Sequence, residues 1–381
     1  MTDSTVRTWA EIDLGCIEHN YLALKAALPE GCICLGVVKA DAYGHGALPV
    51  AERLQKLGCG YLAVATAKEA EELREGGIGL PILILGPVQA CLAPRMARLG
   101  VTVAISSAEA AREISGLLTE PLKIHIKLET GMGRTGFDAG KKETLNELMS
   151  VLAAPKLEAE GIFTHFAVSD VYGDEYTFAQ HELFMKTVTE LERESGHKFR
   201  LVHCANSGAV INYPELAHHM ARPGIALYGM YPAAEKGGID LRPAMTLKTR
   251  VAAVTRHKKG DTISYGRTFT ADRDMRIAVL PIGYADGLHR TLSNKIDFLI
   301  CGKRAKQLGR ICMDMCMADI TDIPQCGVGT EAEVFGRGIA IEELAEAAGT
   351  INYELVCAVS RRVERVYIDS KGTEAASERL V

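Results

Sequence analysis

The chain has 381 residues, of which 48% are hydrophobic and 24% charged, and its formal net charge is −5. That length exceeds one ordinary core and predicts two domains, while the acidic balance excludes a nucleic-acid or anionic-membrane partner, because no basic excess is available to neutralise phosphates. No run approaches the roughly 20 apolar residues of a membrane span and the opening MTDSTVRTWAEIDL lacks the apolar centre of a signal peptide, so a cytoplasmic protein is expected.

The first element, VRTWAEIDL (6–14), reads as a strand. Short apolar runs follow: ICLGVVK (33–39), YLAVAT (61–66), ILILG (82–86), VTVAI (101–105), KIHIKL (123–128), GIFTHF (161–166), LVHCA (201–205) and ARPGIALYG (221–229). The first seven carry Val, Ile and Leu on both parities, as parallel strands covered on both faces require. Amphipathic stretches such as LPVAERLQKLG and AKEAEELREGG lie between them. This is the rhythm of an α/β fold, an N-terminal (β/α)8 barrel over residues 10–240; a doubly wound sheet is the alternative. Beyond AAEKGGID the runs become alternating and glycine-punctuated, which predicts a C-terminal, mainly β domain over 241–381. The opening strand, with the segment 1–9, has no slot left in the barrel and is assigned to this second domain. The eleven cysteines lack the paired spacing of a zinc site and read as reduced, buried thiols; no metal is expected.

Lys39 ends the first barrel strand, although a lysine is costly to bury. The ordinary explanation is that the strand stops there and the ammonium reaches water. Other strand ends argue for more. Lys127 closes KIHIKL, with Arg134 in the loop beyond; His165 closes GIFTHF; His203, Asn206 and Ser207 follow the seventh strand; Arg222 opens RPGIALYG. In a (β/α)8 barrel these ends converge on one mouth, and loops seven and eight often bind phosphate. Ser207 and Gly224 suit that task. A phosphate opposite a strand-end lysine points to pyridoxal phosphate, joined to Lys39 as a Schiff base after desolvation has made the amine nucleophilic.

The blocks VVKADAYGHG, KLETGMGRTGF, GIFTHFA, HCANSGA, RPGIALYG, SYGRTF, PIGYADG, GRICMD and TINYELVC, in this order, resemble the alanine racemase family of fold-type III pyridoxal phosphate enzymes. The resemblance runs from WAEIDL to SRRVERVYI and implies racemisation of alanine by two bases on opposite faces of the substrate carbon. It implies that Lys39 is one base and Tyr265 the other, the latter supplied by the partner in a head-to-tail homodimer. It further implies a hydrogen-bond chain from Tyr265 through His165 to Arg222, with Arg222 facing the cofactor's pyridine nitrogen. Arg134 would meet the phenolic oxygen and the substrate carboxylate, and Lys127 is the position that family members often carbamylate. Tyr43, Asn206, Ser207, Gly224, Ile225 and Tyr353 would complete the cofactor site; Met313, Asp314 and Tyr284 would meet substrate. His203, Asp170, Arg290 and Arg310 match positions along the substrate corridor. One departure is Met315, where the family usually has glutamine.

The nearest rival is a serine or broad-spectrum racemase on the same scaffold. Tyr353 opposes it, because serine-preferring relatives place a smaller polar residue there. Arg222 and Tyr265 oppose a decarboxylase, and the second domain opposes a pyridoxal phosphate carrier without turnover. The implied role is supply of D-alanine for peptidoglycan.

Overall fold

The computed structural model describes residues 6–233, 238–369 and 373–374. The chain divides into two compact units, one of Ile17–Ala42 with Gly46–Arg242, the other of Met1–Cys16, Tyr43–His45 and Pro243–Val381.

The first unit is the parallel barrel. From Gly36–Val37 the strands pair in chain order through Leu62–Val64, Ile82–Ile84, Val101–Ile105, Leu122–Glu129, Leu157–Phe163 and Leu201–His203, every pair parallel. Met220–Ala221 closes the ring. It pairs with Ile33–Cys34, and on its other side His219 N and Arg222 N donate to Val202 O and Ala205 O at 3.0 and 2.9 Å. The eighth run departs from its expected form. Only Met220–Ala221 is strand, and Ile225–Tyr228 is a 3-10 turn, because Pro223 has no amide to give a ladder. Gly161 matters inside the barrel: a Cβ there would lie 2.8 Å from the ring of His125, so glycine is what lets an imidazole occupy the core.

Local chemistry fixes the first mouth loop. Thr66 and Glu69 form a reciprocal cap on the helix Ala67–Glu75. The other oxygen of Glu69 takes the amide of Ala40 at 2.6 Å.

The second unit is built on a ten-stranded sheet. Thr8–Asp13 lies inside it, antiparallel to Met245–Arg250 and parallel to Glu364–Asp369. That strand runs on to Asp13, past the expected boundary at residue 10; residues 1–5 and most of 370–381 lie outside the described residues. A hairpin of Thr262–Ile263 with Phe269–Thr270 is pinned to the sheet by Ile263 and Phe269, which pack with Met275, Ile277 and Leu308. No disulfide forms among the described residues. The expectation of uniformly buried thiols is corrected: Cys91, Cys301 and Cys357 are exposed.

Candidate active site

In the barrel unit, Lys39 sits half-buried where the first strand ends. The chain then does something L-residues avoid. Ala40, Asp41, Ala42 and Tyr43 all have φ between 52 and 54°, a left-handed turn that costs about 1–2 kcal/mol per residue. Glu69 holds its first amide, and Asp41 Oδ1 takes the amide of Ala47 at 2.8 Å. Backbone strain of this kind clusters at functional sites, and here it lies directly beside Lys39.

Arg222 is buried at the eighth strand and bonded through both Nη atoms. It donates to Thr164 O (2.8 Å), Cys204 O (3.1 Å), His203 Nδ1 (2.7 Å) and, at 3.4 Å, His165 Nδ1. Burial lowers its pKa to about 10, so it stays a cation at neutral pH. Because guanidinium only donates, both histidines must accept at Nδ1 and carry their proton on Nε2. His203 Nε2 is 2.8 Å from His125 Nδ1, and His125 Nε2 faces the Glu160 carboxylate at 3.5 Å. The tautomers are therefore fixed from Arg222 down to Glu160. Burial, then the charge of Arg222, pushes His165 and His203 well below their ordinary pKa. Glu160 is held far down by His125 and Arg200, which outweigh its burial. His203, expected along a substrate corridor, is instead wholly buried in the barrel and stacked on Phe163. Nothing local marks Glu160. His125, however, shares strand parity with Lys127 and Glu129, a signal available in KIHIKLE.

Lys127 Nζ lies 5.3 Å over the Phe163 ring and donates to Leu128 O. Burial and then Arg222 depress its pKa to about 7. Glu129 organises the loop beyond it, accepting the amides of Gly131 and Arg134 at 2.6 and 3.0 Å. The Arg134 side chain is exposed.

Ser207 Oγ accepts two amides, Gly224 N at 2.8 Å and Ala226 N at 3.3 Å. Its own hydrogen is thereby left to donate outward. Asn206 orders the adjoining turn, with Oδ1 accepting from Ala209 N and Ser169 Oγ. Ile225 begins the 3-10 turn that follows Gly224. A hydroxyl donor on a glycine-bearing turn, a buried guanidinium and a strand-end amine fit a planar phosphate ester with an aldehyde, which is the chemistry of pyridoxal phosphate.

The second unit holds the remaining positions. Tyr43 and Tyr353 approach with ring centroids 6.3 Å apart; burial, then Tyr353, raises the Tyr43 pKa, keeping its phenol a donor. Tyr265 stands at the tip of the hairpin and is 71% exposed. Beneath it, Ser264 Oγ donates to Arg310 O at 2.6 Å. Tyr284 and Met313 are brought together, Tyr284 N donating to Cys312 O and Ala285 N to Met313 O, both at 3.0 Å. A Cβ on Gly283 would lie 2.3 Å from those two carbonyls, so glycine permits the approach. Asp286, which sequence reasoning missed, anchors the group. It is buried, accepts Arg362 Nε (2.7 Å) and Nη2 (3.0 Å) and Arg7 Nη2 (2.8 Å). Arg362 Nη2 continues to Asp314 at 2.7 Å. Asp314 is thus oriented by a guanidinium that the buried carboxylate fixes.

Two domain families match the chain: alanine racemase, N-terminal domain, over residues 12–232, and alanine racemase, C-terminal domain, over residues 244–367. The chain is similar to the alanine racemase of Desulforamulus reducens, 43% identical over 366 residues that cover 94% of this chain and 98% of that protein. Among solved structures, alanine racemase from Clostridium difficile aligns with a TM-score of 0.94 at 39% identity, covering 99% of this chain and 100% of that one. The same organism's enzyme in complex with cycloserine aligns with a TM-score of 0.91 at 38% identity, covering 99% and 100%.

Proposed function

The chain belongs to the alanine racemase family, and on that premise we propose that it interconverts L- and D-alanine with pyridoxal phosphate, Lys39 and Tyr265 serving as the two bases. When bound, the cofactor supplies the electron-withdrawing ring that acidifies the substrate α-carbon. Lys39 would hold it at the aldehyde carbon, Arg222 at the pyridine nitrogen and Arg134 at the phenolic oxygen. Tyr43, Ser207, Gly224, Ile225 and Tyr353, with Asn206 behind them, would hold the phosphate.

The observation that carries the reading is the fixed order of protons around Arg222. Its guanidinium occupies Nδ1 of His165, so His165 offers an Nε2 proton. A donor there stabilises a phenolate, the form in which a tyrosine can act as a base. Arg222, a cation whose acceptors engage Nη1 and Nη2, would donate from Nε to a facing pyridine nitrogen and leave it unprotonated. Proton withdrawal is then supported without full electron withdrawal, which limits side reactions such as transamination.

Tyr265 would act from the partner subunit of a head-to-tail homodimer. Its 71% exposure, with Tyr284 at 43% and Met313 at 53% on the same unit, supports this, since one chain leaves these apolar groups uncovered. The Met313 amide would reach the substrate carboxylate, with Asp314, oriented by Arg362, beside it. Lys127, whose charged form burial and then Arg222 disfavour, is suited to carbamylation, which would give Arg134 a carboxylate partner. Met315, exposed in place of the usual glutamine, would alter packing near the mouth and not the chemistry.

The proposed setting is the cytoplasm, supplying D-alanine for peptidoglycan; among the described residues no helix is long and apolar enough to cross a membrane. Serine is the second substrate to consider, because a pocket that tolerates an added hydroxyl discriminates by only about a hundredfold. Tyr353 beside Tyr43 favours alanine. The test is L-alanine incubated with the holoenzyme in heavy water. D-alanine carrying α-deuterium is expected; carbon dioxide release, or no exchange with alanine or serine, would overturn the reading.

A further inference from the structure

Strand alternation places a second cluster on the outside of the barrel, at a residue whose neighbour belongs to the buried relay. His203 points inward; Cys204, next in the chain, turns its thiol the other way and donates to Leu216 O at 3.1 Å. His181 on the helix Glu175–Ser195 and His218, just before the last barrel strand, complete the group. The ligand atoms of all three lie within 4.8 Å of one another. The two imidazoles face each other through Nε2 at 2.8 Å, with rings 4° from parallel and centroids 5.1 Å apart. That centroid separation is the one expected for rings lying edge to edge about a shared proton. Two in-plane nitrogens aimed at one point between them also form the seat of a cation.

We propose that His181, His218 and Cys204 form a binding site for a zinc-type cation, with water as the fourth ligand. The donor set is borderline-soft, two imidazoles and a thiolate, which suits zinc and not magnesium or calcium. Ligating imidazoles must be neutral, and these are: burial depresses both, His218 to about 4. The Cys204 thiol, pushed up to about 12 by burial, would lose its proton to the bound cation. Zinc-to-nitrogen bonds of about 2.0–2.1 Å place tetrahedral nitrogens roughly 3.3 Å apart, so the rings must part by roughly half an ångström and each must turn by roughly 35° from edge-to-edge alignment to aim its lone pair at the metal. His181 and His218 are only half-buried, and His181 borders an open cleft with Met185 and Lys186, which gives both movement and access. The proton balance is simple. The proton between the imidazoles moves to Nδ1 of its ring, and one proton, from Cys204, is released per cation. Linear spacing could not reveal the site, because its ligands come from a helix, a strand end and a turn.

The test is zinc titrated into chelator-washed holoenzyme, followed by equilibrium dialysis and by proton release, for the wild type, His181→Gln, His218→Gln and Cys204→Ala. One zinc per chain with about one proton released is expected. Affinity should fall at least roughly 100-fold in each histidine variant, beyond what loss of a residue supporting a ligand costs. The exposed thiols Cys91 and Cys301 could hold zinc adventitiously, and the histidine variants separate that case. Undiminished binding in both would overturn the proposal, as would no stoichiometric uptake by the wild type. Should Cys204→Ala fail to fold, the two half-buried histidine positions still decide it.

Discussion

The two units assemble their candidate groups in opposite ways. In the barrel, Arg222, His203, His125 and Glu160 are sealed from solvent or nearly so, and each bond dictates the next. In the β unit, Tyr265, Tyr284 and Met313 stand exposed on turns held from below. One set is finished within a single chain, and in the proposed reading the other would be completed by a partner subunit. The difference teaches that exposure of an ordered aromatic can be as informative as burial of a charge: each is costly unless something compensates.

The sharpest way to break this contrast is Lys39→Ala. Racemisation should fall by more than about 10⁴-fold, since both a base and the cofactor anchor are lost, and the protein should no longer retain cofactor on dialysis. Tyr265→Phe comes next, with a loss of roughly 10²- to 10⁴-fold, while α-deuterium exchange without inversion persists for one enantiomer. Mixing the two inactive variants sharpens the comparison further. If sites are shared, refolded mixtures should regain about a quarter of wild-type activity, because half the dimers are hybrids with one intact site; no recovery would place both bases in one chain.

Smaller effects test the sealed set. Glu160→Gln keeps an acceptor for His125 but removes the charge that completes the relay. Turnover should drop by up to roughly tenfold as the attraction of the carboxylate for His125 across 3.5 Å is lost, with a shifted pH profile and little change in KM. Lys127→Met addresses titration. The lysine's pKa falls from 10.5 to about 7 on folding, so between those values the unfolded chain binds the extra proton. Stability of the wild type should therefore rise with pH across that window, and Lys127→Met should flatten the rise in a series of urea melts.

Much of the fold was legible because parallel strands buried on both faces cannot hide their apolar runs. Where it misled, backbone chemistry was responsible: RPGIALYG is apolar enough for a strand, yet Pro223 and the glycines turn it into a 3-10 segment. The site was legible where function sits at strand ends, as with Lys39 and Arg222. It was illegible where a partner lies far along the chain. His125 and His203 are 78 residues apart, and Asp286 and Arg7 279 apart; no local pattern announces such pairs. The left-handed turn after Lys39 was invisible too, since Ala40 and Ala42 have no propensity for it and the Ala40 amide is held by Glu69, far along the chain.

The position of the strand Thr8–Asp13 has a consequence for synthesis. Its neighbours are Met245–Arg250 and Glu364–Asp369, so this strand cannot be flanked on both sides until the chain has been made as far as Glu364. With Glu364 roughly 350 residues behind it and elongation at about 5–20 residues per second, the wait is roughly 18 to 70 s. Until Met245–Arg250 is made, Trp9 and Ile12, fully buried at the end, have neither flanking strand to pair with. Yield in the cell should depend on what shields that segment in the interval.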